Sequence, residues 1–388
     1  MRPGASLLRP EHSNLYVKVK AAELRGVSVR LTLRPMARDR WTSEDARAWY
    51  ARQPWLAGCN YIPSDAINQL EMWQAASFDE AINDRELGWA AGLGFNTVRV
   101  YLHHLLWDDN AQGFLDRIDR FLSIAGRHRI RPMFVLFDGV WDPNPALGPQ
   151  RPPRPHVHNS GWAQSPGAAI LGDPARHDEL EGYVRGVIER FRDDARVLAW
   201  DIFNEPDAVN RAYRDQEIPN KAEMAFALMR RAFAWAREAG PSQPLTCALW
   251  RPEWASTGSL SEIEAFQLAE SDVVSFHAYM RPSLLLARLA ELETYERPVF
   301  LTEYLARPFG STFEAILPIA KEHRVAAYNW GLVAGKTQTQ YPWDSWTKGY
   351  DSEPDPWFHD ILRPDGTPYK TDEAAFIRGI TARLRAGA

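Results

Sequence analysis

The chain has 388 residues, with 45 Lys and Arg against 50 Asp and Glu and a formal net charge of −5. A balanced, mildly acidic chain has no surplus cations for counterion release, which excludes nucleic acid and anionic membrane as main partners. Its 45% hydrophobic and 24% charged residues exclude disorder along most of the length, and its 16 Trp, nearly as many as its 17 Phe, point to flat aromatic surfaces for a ligand as well as core.

Residues 1–40 read differently from the rest. The segment 15–20 alternates weakly and 26–33 suits a second strand, but neither leads into a helical pattern, so residues 1–40 are set aside as an N-terminal extension and 41–388 as one domain. The first ten residues contain only the pair Leu7 and Leu8, with no apolar stretch of signal-peptide length, and no run approaches the roughly 18 residues of a membrane helix. A cytoplasmic address is the default expectation, with a periplasmic or secreted one if a signal has been removed. Two cysteines, Cys59 and Cys247, are too few for a disulfide framework.

From Trp41 onward a β-branched or aromatic run, a loop and a helix-period segment alternate. Strands are predicted at residues 55–61, 97–103, 131–138, 197–204, 245–250, 273–279, 298–304 and 325–333. Helices are predicted near 79–93, 112–128, 176–193, 220–239, 258–269, 283–294, 312–323 and 371–386, with Gly94, Gly126 and Gly240 punctuating helix ends. Eight such units imply a parallel sheet covered by helices, and eight strands close a barrel, so the fold expected is a single (β/α)8 TIM barrel of the α/β class. An open doubly wound sheet is the alternative, but no Gly-x-Gly-x-x-Gly follows the first strand. In a barrel Cys59 and Cys247 fall on opposite sides, on strands one and five, and are expected as buried thiols.

Two loops after strand C-termini are long. Residues 139–173, after strand three, are rich in proline and carry Trp141 and Trp162, and residues 334–369, after strand eight, carry Trp343, Trp346 and Trp357. In a βα barrel the loops at that end build the site, so the elaborated face is the functional one. Strand four ends in Asn204-Glu205-Pro206 and strand seven in Thr302-Glu303-Tyr304. Two glutamates facing one another across a barrel mouth are what glycosidic cleavage needs: an acid to protonate the leaving oxygen, and a carboxylate to attack, or to activate water, on the other face of the sugar.

Asn204-Glu205-Pro206 closing strand four, with Glu303 closing strand seven, resembles the clan A glycoside hydrolases, and most of all the family 5 cellulase-type enzymes. The resemblance spans about 330 residues and rests on the order of its motifs along strands two, four, six, seven and eight. It implies a retaining mechanism with Glu205 as acid/base and Glu303 as nucleophile. It also implies that Arg99 lies near the nucleophile and counts among the substrate-binding residues, that Asn204 binds the sugar 2-hydroxyl, that His277 and Tyr279 form the strand-six pair and that Trp330 is a platform under the reactive sugar. Many family 5 enzymes have a histidine at the end of strand three, where this chain has Phe137-Asp138-Gly139; Asp138 or His103 is expected to take over a hydroxyl contact. His103 and His104, if on a strand, point to opposite sides, so one of them faces the site. Trp141 is expected at the pocket, and Lys336, Gln338 and Trp343 are candidates from the last loop.

The roles also follow from chemistry. An acid/base needs a pKa raised toward neutrality, here by burial and the charge of Glu303, while Arg99 supplies Glu303 with an opposing charge. Tyr279 can donate to Glu303, and Trp330 can face the CH side of a pyranose. His156-Val157-His158 superficially matches a metal-binding His-x-His but lies in the proline-rich loop with no companion ligands, so neither metal nor cofactor is expected. The function expected is a retaining β-glycosidase acting on oligo- or polysaccharide, of glucan or mannan type, with carbohydrate as its partner. A carbohydrate-binding barrel without turnover and a metal-dependent barrel hydrolase are the alternatives.

Overall fold

In a computed structural model the structure describes residues 38–251 and 260–382. The expectation for residues 1–40 therefore lies, but for the last three, outside the described residues. Eight parallel strands, β1 Ala57–Asn60, β2 Thr97–Tyr101, β3 Arg131–Asp138, β4 Ala199–Asn204, β5 Leu245–Thr246, β6 Val274–His277, β7 Val299–Tyr304 and β8 Ala326–Trp330, lie in the order β5-β4-β3-β2-β1-β8-β7-β6. A parallel bridge between Leu249 and Phe276 joins the two outer strands and closes the ring. This is the predicted (β/α)8 barrel.

Its strands are almost wholly buried, as expected where helices cover one face of a sheet and the other faces a packed interior. The helices are α1 Ser43–Ala51, α2 Gln69–Trp73, α3 Glu80–Gly92, α4 His104–Arg127, α5 Ala168–Leu171, α6 Glu181–Phe191, α7 Lys221–Ala239, α8 Glu262–Glu270, α9 Pro282–Glu293, α10 Phe313–Glu322 and α11 Thr371–Ala382. Cys59 and Cys247 are buried and unpaired. No helix among the described residues is long and apolar enough to cross a membrane.

Two departures from the predicted elements bear on the site. Helix α4 starts at His104 rather than near 112, because Asn110 (φ −159°) breaks it and its carboxamide oxygen accepts from the Gly113 N–H, capping the second, predicted piece. Helix α1, not predicted, is capped by Thr42 and packs Trp49 and Tyr50 against Leu56, Met133, Phe300 and Tyr328 at the strand N-termini, which stoppers the end of the barrel opposite the long loops. Among the described residues the interior thus opens where the strands end.

The two long loops are tied together. The Asn159 N–H donates to the Thr337 carbonyl at 2.7 Å, the His156 N–H to Gln338 Oε1 at 2.7 Å, and the His158 N–H to Ser345 Oγ at 3.0 Å. His158 Nδ1 meets the Tyr341 carbonyl at 2.9 Å and Gln338 Nε2 reaches the Arg154 carbonyl at 2.7 Å. This seam makes a wall across one side of the barrel mouth, above β8, β1 and β2.

Candidate active site

Arg99 on β2 is the centre from which the site is organised. Its side chain is fully buried, and its Nη1 donates to Glu303 Oε1 at 2.8 Å, to Asn60 Oδ1 at 2.9 Å and to the Tyr101 hydroxyl at 2.5 Å; Nε bonds Asp201 Oδ2 at 3.0 Å and Nη2 bonds Asn204 Oδ1 at 2.7 Å. Burial pulls its pKa down, but the Tyr101 hydroxyl oxygen and the carboxylates of Asp201 and Glu303 outweigh this and hold it well above the ordinary value. Only a planar fork of donors serves so many acceptors at once.

Glu303, at the end of β7, accepts from three donors: Arg99, the Tyr279 hydroxyl on Oε2 at 2.7 Å, and the Tyr101 hydroxyl on Oε1 at 3.1 Å. Three directed donors fix the carboxylate where a nucleophile must stand. Burial pushes the Tyr279 phenol well up, with Glu303 adding to it, so it remains a donor.

Glu205 follows β4 with φ +39°, a left-handed conformation unusual for a non-glycine residue and of the kind found at functional sites. Gly139, after β3, is what allows it: a Cβ there would stand 2.1 Å from the Glu205 carbonyl oxygen. Buried Lys221 on α7 secures both strand exits, donating to the carbonyls of Gly139 and Ala208 and to Glu217. The Glu205 carboxyl is raised to about 7, first by burial, with the charge of Asp207 adding and Arg99 opposing. Asp207, rather than the expected Glu303, is thus the leading acidic neighbour. His277 Nδ1 lies 2.9 Å from Glu205 Oε1, and burial takes this imidazole down to about 4, so it is neutral near pH 7.

These groups open on a cavity of about 440 Å³. Eight predicted residues line it: Asn204, Glu205, His277, Tyr279, Glu303, Trp330, Trp141 and Trp343. Trp330 is held edge-on by Tyr101 at 5.9 Å and Trp162 at 5.8 Å, and Trp343 meets Tyr279 edge-on at 5.0 Å. The Asn204 carboxamide is fixed at both ends, by Arg99 and by donation to Asp138 Oδ1 at 2.9 Å, and keeps one N–H for a ligand oxygen.

Three predicted contacts are corrected. Arg99 lies beneath the cavity and acts through Glu303 and Asn204. Asp138 accepts from Asn204, Trp162, Gln69 and the Val140 N–H, so no oxygen is left for a sugar; burial raises its pKa to about 7. His103 is the N-cap of α4, its Nδ1 accepting from the Leu105 N–H and its Nε2 on the Gln164 carbonyl, with its ring stacked on His104. The strand ends at Tyr101, so the expected alternation of these two histidines does not apply. Lys336 pairs with Glu71, and Gln338 is part of the loop seam.

Other residues of the site escaped sequence reasoning. Asp201 and Asn60 have no motif, but Tyr101 lies two residues from Arg99 on the same strand, and that spacing places it on the same face. Trp250, Phe309, Leu284, His158 and His359 line the cavity from loops and from α9.

Oxygens of Glu205 and Glu303 and a nitrogen of His277 all lie within 4.8 Å of one another and are the one group among the described residues with the ligand types of a metal site. Arg99 already sets its positive charge on Glu303, so a dication there would stand beside a buried guanidinium. The three suit proton transfer and covalent attack better.

No protein-family model and no curated protein matches the chain. Solved structures do. The GH5_18 protein of Streptomyces cattleya, in complex with GlcNAc, has a TM-score of 0.57 at 16% identity, covering 87% of this chain and 82% of that one. The exo-β-1,4-mannosidase of an Opitutaceae bacterium reaches 0.55 at 20% identity, over 85% of this chain and 60% of that one. The endo-1,4-β-mannanase of Rhizomucor miehei reaches 0.52 at 15% identity, over 85% and 98%. The chain shares the barrel fold of these structures.

Proposed function

We propose that the protein is a metal-independent retaining β-glycosidase. The observation that carries the reading is the carboxyl pair at the ends of β4 and β7, with one oxygen of each within 4.8 Å. So close an approach of their nearest oxygens supports direct attack, for which carboxyl groups stand about 5–5.5 Å apart, over inversion, which needs roughly 6.5–9.5 Å to admit a water. Glu303, oriented by Arg99, Tyr101 and Tyr279, attacks the anomeric carbon and forms a glycosyl ester. The bond from that carbon to the leaving oxygen breaks, and the proton of Glu205 goes to that oxygen. A water then attacks the same carbon, gives its proton to Glu205 and releases Glu303.

The Asn204 N–H and the face of Trp330 hold the reacting sugar, the first as donor and the second by apolar contact. A mannose-type glycone is favoured, since the similar structures include a β-mannosidase, a β-mannanase and proteins bound to Manβ1-4GlcNAc. An aryl β-glycoside panel followed by proton NMR tests this: the β-anomer of the sugar is expected to appear first, and the α-anomer first would replace retention by inversion. Binding of sugars without turnover would leave the barrel as a carbohydrate-binding protein, and loss of activity with chelator would favour a metal-dependent hydrolase.

A further inference from the structure

Two histidines that the catalytic cycle does not use line the cavity where the two long loops meet. His158 comes from the loop after β3 and His359 from the loop after β8, and their ring centroids lie 5.3 Å apart. Both are buried, at 2% and 0% exposure, and both are fixed. The His158 N–H bonds Ser345 Oγ, and its Nδ1 meets the Tyr341 carbonyl at 2.9 Å. The His359 N–H bonds the Thr339 carbonyl at 3.2 Å, its own carbonyl accepts from Arg307 at 2.7 Å, and its Nδ1 meets the Leu305 carbonyl. The His359 ring stands 5.5 Å from that of Tyr279, whose hydroxyl holds Glu303, so the pair borders the place of the reacting sugar.

A carbonyl oxygen only accepts, so the proton of each neutral ring sits on Nδ1 and each Nε2 is left with a lone pair. Burial takes His158 to about 4 and, with His158 adding to it, holds His359 well below the ordinary value, so both rings are neutral near pH 7. His359 Nε2 finds no donor in the protein, and no hydrogen bond among the described residues engages His158 Nε2. No third ligand of metal-binding type joins them among the described residues. Buried acceptors without donors are rare, and two of them side by side in a cavity wall call for a ligand that brings the protons. Resting on the glycosidase reading, we infer that His158 and His359 are specificity-determining residues, each accepting the proton of one hydroxyl of the sugar in the cavity. A hydroxyl that is missing, methylated or already joined to a further sugar has no proton to give, so such a glycone leaves an acceptor buried and unpaired.

Proton–nitrogen correlation spectra of the histidine rings in Glu303→Gln, without and with the methyl β-glycoside of the sugar best turned over, test the pair directly. Both rings should be protonated at Nδ1, and both Nε2 signals should move upfield when the sugar binds. Protonation at Nε2, or Nε2 signals that stay still in the presence of the sugar, overturns the inference. Alongside, wild type, His158→Asn and His359→Asn are assayed on the p-nitrophenyl β-glycoside and on its forms lacking the 3-, 4- or 6-hydroxyl. Asparagine keeps an N–H for the backbone carbonyl and loses the acceptor at Nε2. Wild type should lose kcat/KM about tenfold or more at two of the three positions, and each variant should cut one of those two penalties to less than about threefold. Histidines that serve structure alone would lower all four substrates equally, an outcome that overturns the inference and leaves the glycosidase standing. The spectra need only Glu303→Gln, so they decide the matter if an asparagine variant fails to fold. In a protein inert on every glycoside, Nε2 signals that move with methyl β-mannoside keep the histidines as sugar contacts and remove the catalysis; inert protein with unmoved signals removes both.

Discussion

Glu205 and Glu303 have the same side chain and opposite tasks, and their surroundings divide the work. Glu303 is met by three donors that hold a carboxylate in place. Glu205 meets a neutral imidazole in a dry setting that raises it to about 7. Because the glycosylation step needs the protonated acid, kcat/KM should fall as pH rises through about 7. In Glu205→Ala this alkaline limb should vanish from pH-rate profiles. The same variant should lose on the order of 10²–10⁴-fold on alkyl glycosides and far less on dinitrophenyl ones, which leave without a proton; equal losses on both would count against the assignment. Arg99 makes a different prediction. Arg99→Met strands Asp201 and Glu303 as buried carboxylates without a counter-charge, a loss of roughly 3–5 kcal/mol. A denaturant melt should show a marked fall in midpoint, and kcat should collapse in whatever protein remains folded.

The elements differ in how far they could be read from the chain. All eight strands were legible, because buried parallel strands are short β-branched and aromatic runs set off by turns, and so were the strand-end residues Asn204, Glu205, Glu303, His277, Tyr279 and Trp330. Helix α1 was not: it turns only Ala46, Trp49 and Tyr50 inward, a single turn of signal, and what it covers is the end of the barrel rather than a neighbour in sequence. The histidines 103 and 104 misled because a capping histidine and a strand histidine look alike in sequence, and Asp138 because nothing local reveals that four donors converge on it. Loop residues such as His359 and Phe309 reach the cavity through long-range contacts that have no period. Arg307 shows how one such contact is made. Buried just beyond Glu303 in sequence, it donates to the carbonyls of Trp357, His359 and Asp360 and pairs with Glu373 on α11, so it holds the return of the last loop against the cavity. Arg307→Met should cost roughly 3–5 kcal/mol by leaving Glu373 buried and unpaired. Through the displaced loop it should raise KM more than it lowers kcat, since neither glutamate is touched. Steady-state kinetics and a thermal melt on the same sample check both parts.

At the scale of the whole molecule, the fold places its chemistry at one end and its stopper at the other, and its charge takes little part in finding the substrate. The net charge is −5 over 388 residues, and many exposed charges are spent in local pairs such as Arg120 with Glu80, Arg127 with Asp84 and Arg176 with Glu179. The charged side chains that line the cavity, Glu205, Glu303 and Arg288, are of both signs, and much of the wall is tryptophan, tyrosine and phenylalanine. A neutral sugar chain approaching such a mouth feels no steering field, so its encounter rate has no charge to screen. The kcat/KM on a neutral β-linked oligosaccharide should therefore change less than about twofold between roughly 0.05 and 0.5 M NaCl, a range over which the Debye length shrinks severalfold. An acidic polysaccharide would behave otherwise, since its repulsion by the net negative charge of the chain relaxes with salt and its rate would climb. A rate that rises steeply with salt would thus replace the neutral chain by a charged one while leaving the glutamate pair as the catalyst.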